Sequence, residues 1–260
     1  MGQMKTKYIF FALLLAALAT PIQCSAAPKS PYIWRQLRDG LQYATYSFDL
    51  SEGERTWIHA FRIDPAKYGL DVAMAANEKE GATIREMADR KGALVAINGG
   101  FFTPEHESIG LIISGKKQLR PLHNTSWWSV FYIADKKPAI ATPKDFKDSG
   151  NVSMALQVGP RLTIGGSVPK LKEGLSARSA VGIDGQGMVV LLITSGHGIS
   201  LKELAKRMGG RMFNGGFDCQ DSMALDGGGS SQMYAKVGDF SLSLEGLAKV
   251  TNGIVVLPRK

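Results

Sequence analysis

The sequence predicts an α+β fold, a single domain in which a twisted, mostly antiparallel sheet carries two principal helices. Three observations support this. Short runs rich in aromatic and β-branched residues recur along most of the chain. Only two stretches hold both helix start and helix stop signals. No Pro-, Gly- or Ser-rich linker divides the chain.

Residues 43–48 and 56–63 read as strands, as do 70–75 and 109–113, the last entering a tight turn at Gly115-Lys116. Residues 129–133 and 139–142 flank the turn-forming Asp135-Lys136-Lys137-Pro138. The clearest hairpin joins 180–183 to 188–194 through Asp184-Gly185-Gln186-Gly187, and 254–257 is the last strand. Helices are expected over 83–90 and 200–207. Each opens on a hydroxyl residue, Thr83 or Ser200, with Glu86 or Glu203 three positions on. This is the capping-box pattern, in which hydroxyl and carboxylate reciprocally satisfy N–H groups at the helix start. Gly92 and Gly209-Gly210 stand where helices end.

A weak internal repeat follows. The first helix leads into apolar 93–97 and then Asn98-Gly99-Gly100-Phe101-Phe102. The second, past an insertion, leads into 222–225 and then Asp226-Gly227-Gly228-Gly229-Ser230-Ser231. Duplicated αβ units commonly pack about a pseudo-twofold axis, which would bring the two Gly-rich turns together; two unrelated αβ units give the same pattern.

The 260 residues are 44% hydrophobic and 21% charged, which excludes a collagen, a coiled coil and wholesale disorder. A formal charge of +8 favours anionic partners such as phosphate esters, acidic glycans or membrane surfaces, and no Lys/Arg block suggests nucleic acid. Two cysteines exclude a multi-disulfide scaffold, and His59, His106, His123 and His197 lack zinc-ligand spacing. No cofactor is expected, with a divalent metal left open.

Lys5 and Lys7 precede an apolar run at 8–19, too short for a membrane span of about 20 residues but of signal-peptide length. Cleavage after Ala26 is expected. Residues 1–26 are then a signal peptide, 27–40 a loose leader and 41–260 the domain, in a periplasmic or secreted protein. A lipoprotein would need small residues before Cys24, where Pro21-Ile22-Gln23 stand. Cys219, the one cysteine left, is expected to be buried rather than reactive.

Asp226, at a strand end beside a glycine run, would project a carboxylate into a cleft next to free backbone N–H groups suited to an anion. Asn98 would offer an amide from the matching position. Both runs read equally as tight turns with Asx bonds. Arg178, just before a strand, could clamp a phosphate or form a surface ion pair. His197, Glu105 and Glu107 are further acid/base candidates in loops. A Gly-x-Ser-x-Gly elbow, a Walker A loop and a dinucleotide fingerprint are missing.

Asn98-Gly99-Gly100-Phe101-Phe102, Val158-Gly159-Pro160-Arg161-Leu162, Ala177-Arg178-Ser179-Ala180-Val181-Gly182, Ala224 to Ser231 and Thr251-Asn252-Gly253-Ile254-Val255-Val256 resemble the motifs of the phosphodiester glycosidase domain family, in the family's order across roughly 70–257. Ala224 stands where the family often has Asn, and 211–221 is longer than usual. The resemblance implies hydrolysis of a sugar-1-phosphodiester, of an N-acetylated sugar among the possibilities, in an envelope or extracellular glycan. The catalytic residues it implies are Asp226 at the sugar, Arg178 at the phosphate and Asn98 as an orienting group. Gly99, Gly100, Gly228, Gly229, Ser230 and Ser231 would bind substrate. Alternatives on the same fold are a non-catalytic glycan- or phosphate-binding module and a scaffold in exopolysaccharide assembly.

Overall fold

The computed structural model describes residues 30–50 and 53–259, so the expected signal peptide and its cleavage site lie outside the described residues. In chain order the elements are β1 (Arg35–Arg38), β2 (Leu41–Asp49), β3 (Arg55–Ile63), β4 (Tyr68–Met74), α1 (Ile84–Lys91), β5 (Val95–Asn98), β6 (Ile112–Ser114), β7 (Lys117–Arg120), β8 (Ser129–Ala134) and β9 (Lys137–Ala141). They continue with β10 (Val152–Val158), β11 (Arg161–Thr163), β12 (Ser179–Asp184), β13 (Val189–Gly196), α2 (Leu201–Gly209), β14 (Cys219–Ala224), β15 (Met233–Val237), β16 (Phe240–Leu244) and β17 (Asn252–Pro258). The α+β class holds, with the strands divided among three antiparallel sheets. One has seven strands in the order β1-β2-β3-β13-β12-β14-β11. The others have five each, β16-β15-β5-β17-β4 and β7-β6-β10-β8-β9.

Period-2 alternation explains how the sheets share a core. In β13, Val189, Leu191 and Ile193 face a central cluster, while Val190 and Leu192 face a second cluster under α2. The central cluster also takes Leu70, Val95, Ile97 and Ile254 from the β5 sheet and Phe131, Met154 and Leu156 from the β10 sheet. α1 covers the outer face of the β5 sheet through Ile84, Met87 and Ala88. No helix among the described residues is long and apolar enough to cross a membrane.

The caps differ in detail. Glu86 N donates to Thr83 Oγ1 at 3.2 Å and Thr83 N to Glu86 Oε2 at 2.8 Å, a complete box. At α2, Ser200 Oγ accepts from Glu203 N at 3.1 Å, but the Glu203 carboxylate takes Arg207 Nε at 3.0 Å instead of reaching back. The hairpin turns form as expected: Asp184 Oδ1 accepts from Gln186 N and Met188 N, and Asp135 and Lys136 both take positive φ.

The loose leader expected over 27–40 is corrected in its described part. β1 pairs with β2, and Tyr32 stacks on Phe217 at 5.0 Å and donates its hydroxyl to Gly216 O at 2.6 Å. The four residues RQLR carry no apolar alternation, so the sequence pattern hides the strand. Cys219 is fully buried, and burial pushes its thiol up, as a packing cysteine requires.

Gly253 is one of the positions where packing leaves no room for a side chain. It pairs with Asn98 across β17 and β5, and a Cβ there would press on Ile84 Cδ1 and lie 2.7 Å from Ile97 O. Gly253→Ala is expected to lower unfolding free energy by about 1–3 kcal/mol, read as a lower urea midpoint at unchanged slope.

Candidate active site

β5 and β14 lie in different sheets, yet the turns that follow them meet. Asn98 Nδ2 donates to Asp226 O at 2.7 Å, and Asp226 N donates to Gly99 O at 2.9 Å. The convergence expected from the repeat is therefore present.

The role expected of Asn98 is corrected. Its side chain is fully buried and its amide is committed to protein groups. Besides the bond to Asp226 O, its Oδ1 accepts from Ser179 Oγ at 2.7 Å and from Gln232 N at 3.2 Å. Asn98 positions Asp226 and does not line the cleft. Gly99 and Gly100 are corrected likewise. A Cβ on Gly99 would collide with Asn252 Oδ1, and Gly100 N donates to that same oxygen at 2.7 Å. These glycines let two backbones approach closely.

The Asp226 carboxylate does reach a cleft. Its Oδ1 accepts from Gly227 N at 3.0 Å, and the Ser230 hydroxyl also hydrogen-bonds to it. Burial raises its pKa above the ordinary carboxylate value, and the two hydrogen bonds offset this only in part. The N–H groups of Gly227, Gly228, Ser230 and Ser231 are taken by protein oxygens and do not form the expected cradle. Gly228 N donates to Ala177 O at 2.8 Å, and Ser230 N and Ser231 N donate back into the turn. Gly228 lines the cleft, with φ of 62°, while Gly229 and Ser231 lie on the turn's other side.

The positive side of the cleft comes from side chains. Arg178 is strapped by carbonyls: Nε donates to Ile199 O at 3.2 Å and Nη2 to Gly174 O at 3.0 Å. Its backbone N donates to Thr194 Oγ1 at 2.9 Å. Among the described residues it pairs with no carboxylate, and burial lowers its pKa from the ordinary value. Arg178, Lys170 and Lys172 share the wall of a cavity of about 750 Å³ with one carboxylate, Asp226. Phe101 and Trp127 form an aromatic side of that cavity with ring centroids 5.9 Å apart, and Trp127 is 54% exposed. Such a volume with few charged groups is typical of a ligand site.

His197, Glu105 and Glu107 do not line this cavity; His197 is exposed in the loop after β13. The reading of the sequence missed Trp127, Lys170 and Lys172. Adjacent tryptophans at 127 and 128 outside any strand were an available signal, whereas the lysines lie in an irregular segment without pattern. Among the described residues no three His, Cys, Asp or Glu side chains come close enough to hold a metal ion.

Removing the Asn98 amide strands the Ser179 hydroxyl and the Asp226 carbonyl. Asn98→Ala is expected to lose about 1–3 kcal/mol for each buried group left unpaired, read by urea unfolding. Asn98→Asp, which places a charge at a fully buried position, is expected to lose more.

Comparison with known proteins identifies the fold and the family. The chain superposes on the zebrafish N-acetylglucosamine-1-phosphodiester α-N-acetylglucosaminidase catalytic domain with a TM-score of 0.67 at 18% identity, covering 89% of this chain and 87% of that one. A Synechocystis protein structure matches with a TM-score of 0.62 at 16% identity, over 88% of this chain and 64% of that one. At these identities the likeness shows a shared fold. The Escherichia coli (strain K12) protein YigE is 30% identical over 112 residues, 38% of this chain and 44% of YigE, so the match spans less than half of that relative. The phosphodiester glycosidase family model matches residues 91–257, which contain both Gly-rich turns, Arg178 and Asp226. With well over half of its length matched in this way, the chain belongs to the phosphodiester glycosidase family.

Proposed function

We propose that the protein hydrolyses a sugar-1-phosphodiester of an envelope or extracellular glycan, releasing the free sugar and leaving a phosphomonoester. The observation that carries this reading is the charge pattern of the cavity: three cations and a single carboxylate on its wall. An ordinary glycosidase needs two carboxylates, one of them to protonate a poor leaving group. A phosphomonoester leaves without strong acid help, so one carboxylate suffices, and stabilising the departing charge falls to cations.

In this mechanism the sugar lies against Phe101 and Trp127, whose apolar faces suit the C–H faces of a pyranose. Asp226 stands at the anomeric carbon, as nucleophile, as base for water or as anchor of a sugar hydroxyl. Arg178 takes the phosphate, its geometry held by Ile199 O and Gly174 O, with Lys170 and Lys172 beside it. The C1–O bond breaks with its electron pair going to the phosphate oxygen. Water supplies the new anomeric hydroxyl, and its second proton goes to solvent. The apolar run and the cleavage pattern at the N-terminus support export, which would place the reaction in the periplasm or outside the cell.

The test is hydrolysis of a methyl α-N-acetylglucosaminyl phosphodiester, followed as free sugar, with and without chelator. Asp226→Asn and Arg178→Ala are each expected to lower kcat/KM by about a hundredfold or more. Turnover unchanged in Asp226→Asn would remove this carboxylate from the mechanism.

The pH dependence follows from the raised Asp226 pKa. Activity that needs the ionised carboxylate falls as pH drops through that raised value, so the acid limb of the kcat/KM profile is expected above the ordinary carboxylate value. Stability has the opposite sense. The folded chain holds this proton more tightly than the unfolded chain, so the group's contribution is fully present at low pH and is lost as pH rises through the raised pKa. Asp226→Asn is therefore expected to be more stable than wild type at neutral pH by denaturant unfolding while being less active.

A further inference from the structure

Residues 211–221, longer than the family pattern, fold against the N-terminal segment that precedes β2. Tyr32 and Trp34 meet Phe217 there, with ring centroids 5.0 and 5.7 Å from it. Ser30 Oγ donates to Met212 O at 3.0 Å. The two segments form one side of a cavity of about 640 Å³, whose other side is the edge of the seven-stranded sheet at Gln42, Arg62 and Asp184. This cavity shares no wall residue with the candidate active site. β12 and β14 pair from Ala180 and Ala224 to Asp184 and Cys219. Asp226 follows the first end of that pairing and the cavity lies at the second, roughly 17 Å away along β12 at about 3.3 Å per residue.

The charges on this wall balance. Among the described residues it carries two guanidiniums, Arg62 and Arg211, and two carboxylates, Asp184 and Asp218. Arg62 is spent on protein oxygens: it donates to Asp184 Oδ2 at 2.6 Å, to Gln42 Oε1 at 3.1 Å and to Gln186 Oε1 at 2.7 Å. By taking the Gln186 oxygen it fixes that side chain with the amide N–H groups still to be used. Asp218 accepts from Met212 N through Oδ2 at 3.3 Å, which leaves Oδ1. Gln220 and Arg211 are exposed, and their side chains make no hydrogen bond among the described residues. Beside these groups stands Trp34, half-buried and braced edge-on by Tyr32 at 5.5 Å and 84°. The cavity therefore joins a rigid aromatic wall to a set of unspent donors and acceptors.

We propose that this cavity is a second glycan-binding site, remote from the reaction, and that it takes uncharged saccharide units. A pyranose presents an apolar C–H face and a rim of hydroxyls that both donate and accept. Trp34 suits the first, and Gln186, Gln220, Asp218 and Arg211 suit the second. An anionic ligand would meet Asp218 as well as Arg211 and gain no net attraction. A hydrocarbon would cover the same polar groups without giving them partners. The binding does not depend on the glycosidase reading, because no residue of the reaction cavity takes part. Where that reading holds, a glycan long enough to reach both cavities is held at two points, and its apparent affinity exceeds that at either one.

The test is calorimetric titration of the full-length protein with chitotetraose, cellotetraose, maltotetraose and the anionic tetragalacturonate. At least one neutral tetrasaccharide is expected to bind with Kd below about 1 mM, and tetragalacturonate more weakly than it. Trp34→Ala is expected to weaken that binding at least about tenfold, and Gln220→Ala about threefold. Gln220 is exposed, so its replacement keeps the test open where loss of Trp34 disturbs folding. Trp127→Ala, in the reaction cavity, is expected to leave the affinity unchanged. No binding of any neutral tetrasaccharide, tightest binding of tetragalacturonate, or affinity lost in Trp127→Ala and kept in Gln220→Ala would overturn the proposal. None of these results bears on hydrolysis of the methyl diester, so the second site and the glycosidase reading stand or fall separately.

Discussion

The site depends on one interlock. Asn98 donates to the carbonyl of Asp226 while Gly99 accepts from the Asp226 amide, so the ends of two strands from different sheets are tied at the residue whose carboxylate enters the cavity. The tie tolerates little change. Its amide is completed by Ser179 and Gln232, and Asn252 closes over Gly99 and Gly100 so tightly that a side chain on Gly99 has no room. Asn252 is itself held by Ser108 and Thr251. A neutral amide suits this place because both its oxygen and its nitrogen find protein partners when buried, whereas a charge there would need a counter-charge. The interlock therefore fixes the backbone at Asp226 while leaving its side chain to the cavity.

The arginines show which charges the fold neutralises and which it leaves. Arg62 is paired with Asp184 at 2.6 Å, and Arg161 with Asp221. Both are strand-to-strand pairs whose charges cancel locally. Arg178 is about as sheltered but is held by backbone carbonyls, which fix its direction without cancelling its charge. That residual charge shares a cavity wall with a carboxylate that burial has made reluctant to ionise.

Much of this was legible in the sequence, and the misses have physical causes. The hairpin around Asp184, the turn at Asp135-Lys136 and the complete box at Thr83 rest on local chemistry, and local chemistry is what a sequence displays. β10 was missed because it is buried along most of its length and shows no alternation. The hairpin of β15 and β16 was missed although Gly238 and Asp239 mark its turn. Of the candidate site residues, Asp226, Arg178 and Gly228 were named from their neighbours in sequence, and the three line one cavity. The amides of Gly228, Ser230 and Ser231 are claimed by Ala177 O and the turn's own carbonyls, and only the tertiary structure decides that. Asn98 was singled out for the right convergence and the wrong task, since nothing in a linear pattern shows that Ser179 and Gln232 occupy its oxygen.

The central claim is that the bond broken is the sugar's C1–O bond and not a bond to phosphorus. Hydrolysis of a sugar-1-phosphodiester in oxygen-18 water, with the products weighed by mass spectrometry at early times, tests it most directly. The proposed placement of the sugar at Asp226 and the phosphate at Arg178 predicts an unlabelled phosphomonoester and label in the released sugar. A labelled phosphomonoester, or release of the sugar as its 1-phosphate, would mean attack at phosphorus and would contradict the account.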